Sequence, residues 1–146
     1  MAASQQFCTF VLQEEFFGVP VEQVQEVIRY QEMTRVPLVS EVVSGLINLR
    51  GQIVTAIDLR RCLGMADRKA GELPMNVVVR TGDGPVSLLV DDIGDVIEVS
   101  ENAYESTPQN MRRQQKEIVD GVYKLDGRLL LVLNTQRALE TGLGRS

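Results

Sequence analysis

The chain contains no histidine and no tryptophan among its 146 residues, and cysteine occurs only at Cys8 and Cys62. Without histidine it lacks the usual general base near neutral pH and the commonest metal ligand. Two cysteines are too few for a disulfide framework or a cysteine-rich zinc site. Both sit among apolar neighbours (FCTF and RRCLGM) and read as buried thiols in a reducing compartment. No apolar run approaches the roughly 20 residues of a membrane-spanning helix. The opening MAASQQ lacks the charged and apolar segments of a signal peptide. Positive charge is also scarce: 15 Lys and Arg face 20 Asp and Glu, a formal net charge of -5. That balance argues against nucleic acid, which demands a basic face, and against docking on anionic lipid. A cytoplasmic protein without direct membrane insertion is expected.

What is present is enough for a core. Hydrophobic residues make up 44% and charged residues 24%, which fits one ordinary domain or two very small ones. Most apolar runs are short, rich in Val, Ile and Leu, and broken by Gly or polar pairs, as in strands. Strands are predicted over 7–12, 16–20, 27–30, 45–49, 53–58, 75–80, 86–90, 96–99, 121–125 and 128–133. Asp126-Gly127 gives the clearest hairpin, because Asp-Gly suits the positive φ angles of a tight turn. Helical turns are predicted over 59–63 after Asp58 and over 135–140 after Asn134. Residues 110–117 read as a loop or a short helix, 64–74 as a connector, and 1–5 and 141–146 as loose ends.

The chain repeats itself. At an offset of 69, VPVEQVQEVI (19–28) falls on LLVDDIGDVI (88–97). At an offset of 76, EVVSGLINLRGQIVTAIDLRRCL (41–63) falls on EIVDGVYKLDGRLLLVLNTQRAL (117–139), with identities that include Gly45/Gly121, Gly51/Gly127 and Arg61/Arg137. Shared glycines weigh more than shared valines, since they mark fixed backbone geometry. The pattern predicts an all-β chain built from two copies of one module, approximately 6–66 and 74–140. Five short strands per copy suggest small closed barrels, which leave no exposed edges. A half of this size is marginal alone, so the two should share an interface, with strands exchanged between them and a groove where a partner binds.

No catalytic constellation is visible. Ser40, Ser44, Thr55 and Ser87 have no histidine partner, and there is no phosphate loop or dinucleotide fingerprint, so neither enzyme activity nor a cofactor is expected. Asp91, Asp92 and Asp95 lack the glycine and closing glutamate of a calcium loop and read as a solvated turn. The polar differences between copies carry more. Arg50 stands where the second copy has Asp126, and a turn before Gly51 has no need of arginine. Arg50 therefore either faces a partner, pairs with a carboxylate such as Glu26, or is simply solvated. Arg29, Arg35 and Arg60 are weaker candidates. Val24, Ile93 and Val96 flank the acidic turns and read as core, with groove lining as the alternative.

Three blocks carry a resemblance: FVLQEEFFGVPVEQVQEVIRY (10–30) with TRVP (34–37), GLINLRGQIVTAIDLR (45–60), and LLVDDIGDVIEV (88–99) with IVDGVYKLDGRLLLVLN (118–134). From about residue 6 to 140 the chain resembles the CheW family of chemotaxis coupling proteins. The family usually has proline in the strand after NLRG, where this chain has Ile53-Val54-Thr55-Ala56-Ile57. The resemblance implies two intertwined SH3-like five-stranded β-barrels with short helical turns and an adaptor without catalysis. It implies binding to the cytoplasmic tip of methyl-accepting chemoreceptors and to the C-terminal regulatory domain of the histidine kinase CheA, with weak self-association in rings. It also implies that Glu26 and Arg50 are a paired acid and base near the binding surfaces, and that Val24, Gly45, Ile93 and Val96 lie on or near the receptor-facing groove. A related adaptor of gliding or pilus motility, binding receptor or scaffold without activating a kinase, is the alternative.

Overall fold

The computed structural model describes residues 3–37, 40–105, 108 and 110–142. Among these, the strands are β1 (Ser4–Leu12), β2 (Glu15–Pro20), β3 (Val24–Ile28), β4 (Val43–Leu49), β5 (Gln52–Asp58), β6 (Met75–Thr81), β7 (Gly84–Val90), β8 (Asp92–Ser100), β9 (Tyr104–Glu105), β10 (Val119–Leu125) and β11 (Arg128–Leu133). Three short helices join them: α1 (Leu59–Cys62), α2 (Arg113–Ile118) and α3 (Thr135–Gly142). The fold is all-β, as predicted.

The strands form two sheets, ordered β8-β1-β2-β11-β10-β9 and β3-β6-β7-β5-β4. The sequence offsets make β1, β2, β3, β4 and β5 the counterparts of β6, β7, β8, β10 and β11. Each sheet thus joins the first two strands of one copy to the last three of the other, and β9 is added to the six-stranded sheet. Registers repeat as well. The parallel pair Thr55↔Val86 has its equivalent in Leu131↔Phe17, and Ile28↔Asn76 has its equivalent in Ile97↔Phe7.

Packing explains the strand sequences. The largest buried cluster draws on both sheets: Phe10, Phe17 and Leu131 from the six-stranded sheet meet Ile57, Val77 and Leu88 from the five-stranded one. Two smaller clusters lie on the opposite faces, one of Ile47, Val54, Ala56 and Val78, the other of Phe7, Val99, Leu130 and Val132. Neighbouring residues such as Val77 and Val78, or Leu130 and Leu131, therefore serve different clusters. A strand buried on both faces reads as a continuous apolar run such as NVVVR or LLLVL.

Several elements differ from the sequence reading. β3 begins three residues earlier than expected and β8 four residues earlier. Both are bulged: Val24↔Val79 is followed by Glu26↔Val78, and Ile93↔Phe10 by Val96↔Cys8. A bulge spaces inward residues three apart instead of two, which hides the strand period. β1 begins at Ser4 and α3 reaches Gly142, so the expected loose ends contain regular structure there. Residues 1–2 and 143–146 lie outside the described residues. Residues 110–117 form most of α2, and β9 adds a sixth strand to one sheet. Without the family's proline, β5 is an unbroken strand.

A shared core ties the two sheets to one another. Phe17, fully buried at 0% exposure, sits in it. Phe17→Ala is expected to cost about 3–5 kcal/mol in denaturant unfolding, with a single transition for both sheets. Two separate transitions would show that the sheets fold independently.

Candidate partner-binding site

The candidate surface begins at the tip of the β4–β5 hairpin. Leu49 pairs with Gln52, so Arg50 and Gly51 are a two-residue loop. Both have positive φ, 53° at Arg50 and 86° at Gly51, as a turn matching strand twist requires. The equivalent Asp126-Gly127 loop has positive φ only at Gly127 among its two residues, so the hairpin expected to be the clearer case is the less demanding one. Arginine in the left-handed region is sterically disfavoured. Asn48 supports the turn by accepting the Gly51 N–H through Oδ1 at 2.8 Å.

From this tip Arg50 reaches back to β3. Its Nη1 and Nη2 donate to Glu26 Oε2 and Oε1, both at 2.7 Å. Such a bidentate fork fixes direction as well as distance. The hydrogen bonds from Arg50 hold the Glu26 carboxyl below its ordinary value, and Glu26 raises Arg50 in return. The Arg50 side chain remains 75% exposed. A formed ion pair thus stays open to a partner.

The remaining candidates fall on bulges. Val24 and Glu26 bracket the β3 bulge, Ile93 and Val96 bracket the β8 bulge, and Gly45 ends the β4 bulge. β3 and β8 are the first strands of their sheets. Val24 and Ile93 are half-buried against the shared core. Val96 is 56% exposed, which overturns its reading as core, because its neighbour Ile97 packs inward and successive side chains alternate across the strand. Its counterpart Val27 is exposed as well. Gly45 is buried, and a Cβ there would lie 2.7 Å from the Thr34 carbonyl oxygen. Its bare backbone lets Thr34 bridge to Leu46. Glu26 and Arg50 are brought together directly, whereas Ile93 and Val96 belong to the other sheet.

Sequence reasoning missed one feature of the surface. Ile53 and Leu129 occupy equivalent positions, two residues after the turn glycine in each hairpin, and both are exposed. The duplication alone could have flagged them as a repeated outward apolar position.

The acidic turn is not simply solvated, as had been expected. Asp91 receives Arg60 Nε and Nη2 at 2.8 and 2.6 Å and the Gln13 backbone N–H at 2.6 Å. Arg68, from the connector, donates to Asp58 at 3.1 Å and to the Leu89 carbonyl at 3.2 Å. Its Nε lies 2.9 Å from Asp91, within ion-pair distance but outside hydrogen-bond geometry. This network makes Arg60 a structural group rather than a partner-facing one, and it anchors the connector. Burial works to raise the Asp91 carboxyl, but Arg60, the Gln13 N–H and Arg68 outweigh it and hold it below the ordinary range. Arg29 and Arg35 are exposed. Cys62 is buried and its thiol is pushed up to about 12. Cys8 is only half-buried, short of the expected buried thiol, because it lies at the β8 bulge. No group of three or more His, Cys, Asp or Glu is placed to hold a metal among the described residues. Among them no helix is long and apolar enough to cross a membrane.

Known proteins resemble this chain. The family model for the CheW-like domain matches residues 6–142. The chain is 30% identical over 132 residues to the chemotaxis protein CheW of Thermotoga maritima, covering 90% of this chain and 85% of that protein. It is 29% identical over 131 residues to the chemotaxis protein CheW of Bacillus subtilis, covering 90% and 84%. The crystal structure of scaffolding protein TtCheW from Thermoanaerobacter tengcongensis superposes with a TM-score of 0.78 at 28% identity, covering 90% of this chain and 89% of that one.

Asp91 sets an acid limit. A carboxyl held low in the fold contributes stability that is complete above the unfolded aspartate value and vanishes as pH falls through the folded one. Denaturant unfolding is expected to lose stability below about pH 4, and Asp91→Asn to flatten that part of the profile. An equally steep profile in the variant would assign the acid sensitivity to other carboxylates.

Proposed function

Since the chain belongs to the CheW-like domain family, we propose that it is a non-catalytic adaptor coupling methyl-accepting chemoreceptors to a CheA-type histidine kinase in bacterial chemotaxis. The named relatives are chemotaxis proteins and the structural neighbour is a scaffolding protein, which supports this reading. The observation that carries it is the exposed Glu26–Arg50 fork on an arginine held at positive φ. A solvated turn needs neither the strain nor the bidentate partner.

In this reading the receptor tip, a helical hairpin, lays apolar side chains along Val24, Ile93 and Val96. Gly45 acts beneath the surface by letting the 33–34 segment cross β4. The Glu26–Arg50 pair sets register and rejects wrong partners more than it adds affinity. The C-terminal regulatory domain of the kinase docks end to end through sheet edges, and Ile53 on β5 and Leu129 on β11, exposed near the hairpin turns of inner strands, offer equivalent apolar positions on the two sheets. Weak self-association into rings would use the same ends. The protein works in the cytoplasm, recruited to receptor arrays. Pairwise affinities on the order of micromolar suit an array that gains strength through multivalency.

The direct experiment measures binding to a receptor cytoplasmic-tip fragment and to the kinase regulatory domain, followed by kinase activation in their mixture. Binding to both is expected, and binding to neither sinks the proposal. Arg50→Glu is expected to weaken partner binding at least tenfold with the far-ultraviolet circular dichroism spectrum unchanged. Full binding by that variant removes Arg50 from the site.

A further inference from the structure

The bulges that carry the candidate residues are held differently in the two sheets. A bulge places two residues of one strand opposite one of its neighbour and interrupts the ladder of hydrogen bonds. In β8 the residues between Ile93 and Val96 are Gly94 and Asp95, and the single residue opposite them is Thr9 of β1. The Thr9 hydroxyl donates to the Asp95 carbonyl oxygen at 2.5 Å. Thr9 is buried, at 2% exposure, in a strand whose buried residues are otherwise Phe7, Phe10 and Leu12. Gly94 makes room for it, since a Cβ at Gly94 would run into the Thr9 hydroxyl oxygen.

The equivalent residue in the other sheet is Val78, which has no hydroxyl to give. There the guanidinium of Arg80 does a comparable job, donating to the carbonyls of Glu22 and Val24 at 3.1 and 2.8 Å. The Glu26–Arg50 fork adds a second restraint to β3. β8 has no such fork, because the loop counterpart of Arg50 is Asp126. The side-chain hydrogen bond that reaches the backbone of the β8 bulge from a neighbouring strand comes from Thr9.

We propose that Thr9 is a positioning residue: its hydroxyl holds the β8 bulge and thereby sets the direction in which Ile93 and Val96 face a bound partner. The inference rests on the function proposed above for the partner, but the bulge itself is a property of the free protein. Without the hydroxyl the Asp95 carbonyl loses its buried donor, and the bulge is free to relax toward regular pairing. Relaxation by one residue would reverse the side on which Val96 lies, since successive side chains alternate across a strand.

The test has two readouts. Thr9→Val keeps the shape and removes the hydroxyl. It is expected to shift the amide signals of residues 93–96 in proton–nitrogen correlation spectra while those of β4 and β5 stay in place. Affinity for a receptor cytoplasmic-tip fragment is expected to fall about five- to tenfold. Thr9→Ser, which restores the donor, is expected to recover both readouts. Gly94→Ala, whose methyl presses on the same hydroxyl, is expected to reproduce the valine variant and serves if that variant folds poorly. Unmoved amides at 93–96, full affinity in Thr9→Val, or a serine variant as weak as the valine one would each overturn the proposal. If the unmodified protein binds no receptor fragment, the partner reading fails, while the spectra still decide for or against Thr9.

Discussion

The shared core between the two sheets is the constraint from which the rest follows. Apart from the shared core, each sheet buries only a small cluster on its opposite face, too little apolar surface to stabilise so few residues independently. The larger cluster, with Phe10, Phe17, Ile57 and Leu88, exists only where the sheets meet. Strand exchange reinforces that dependence, because each sheet is completed by strands from the other copy. The sheets therefore hold a fixed relation to each other, and residues on both can form one recognition surface without a hinge between them.

On this rigid frame the outward residues are aimed by local irregularities. Bulges recur at equivalent places in both copies, in β3 and β8 and again in β4 and β10, so they belong to the module. What differs between copies is the side-chain chemistry attached to them. One sheet has the Glu26–Arg50 fork, and the other has the Thr9 hydroxyl beneath Gly94. Duplication supplied two similar edges, and divergence of a few polar residues made them unlike. An asymmetric pair of edges is what a protein needs if it is to bind two different partners.

Much of this was legible in the sequence, and the failures have physical causes. The duplication followed from glycines at Gly45/Gly121 and Gly51/Gly127, where backbone geometry is fixed, and its offsets reproduce the observed registers. Arg50 stood out because a turn has no use for a guanidinium, and its pairing with Glu26 was among the readings the residues allowed. The starts of β3 and β8 were missed because bulges break the alternation on which strand reading depends. The role of Arg68 was missed because it lies in a polar connector, and only the fold brings it to Asp58 and Asp91. Asp91 was misread for the same reason: a charge near glycine and other acids looks solvated until its distant cations are known.

The strand order has a consequence for how the chain comes together. The five-stranded sheet uses an uninterrupted stretch, β3 through β7, whereas the six-stranded sheet joins the β1–β2 hairpin to strands made after residue 91. During synthesis the first hairpin emerges early, yet its parallel neighbour β11 is among the last strands to leave the ribosome. All strands of the five-stranded sheet are made while β1 and β2 wait with apolar faces unpaired, and closing so long a loop is slow. That interval, rather than the finished fold, is where unpaired strand edges and apolar faces leave the chain most open to aggregation.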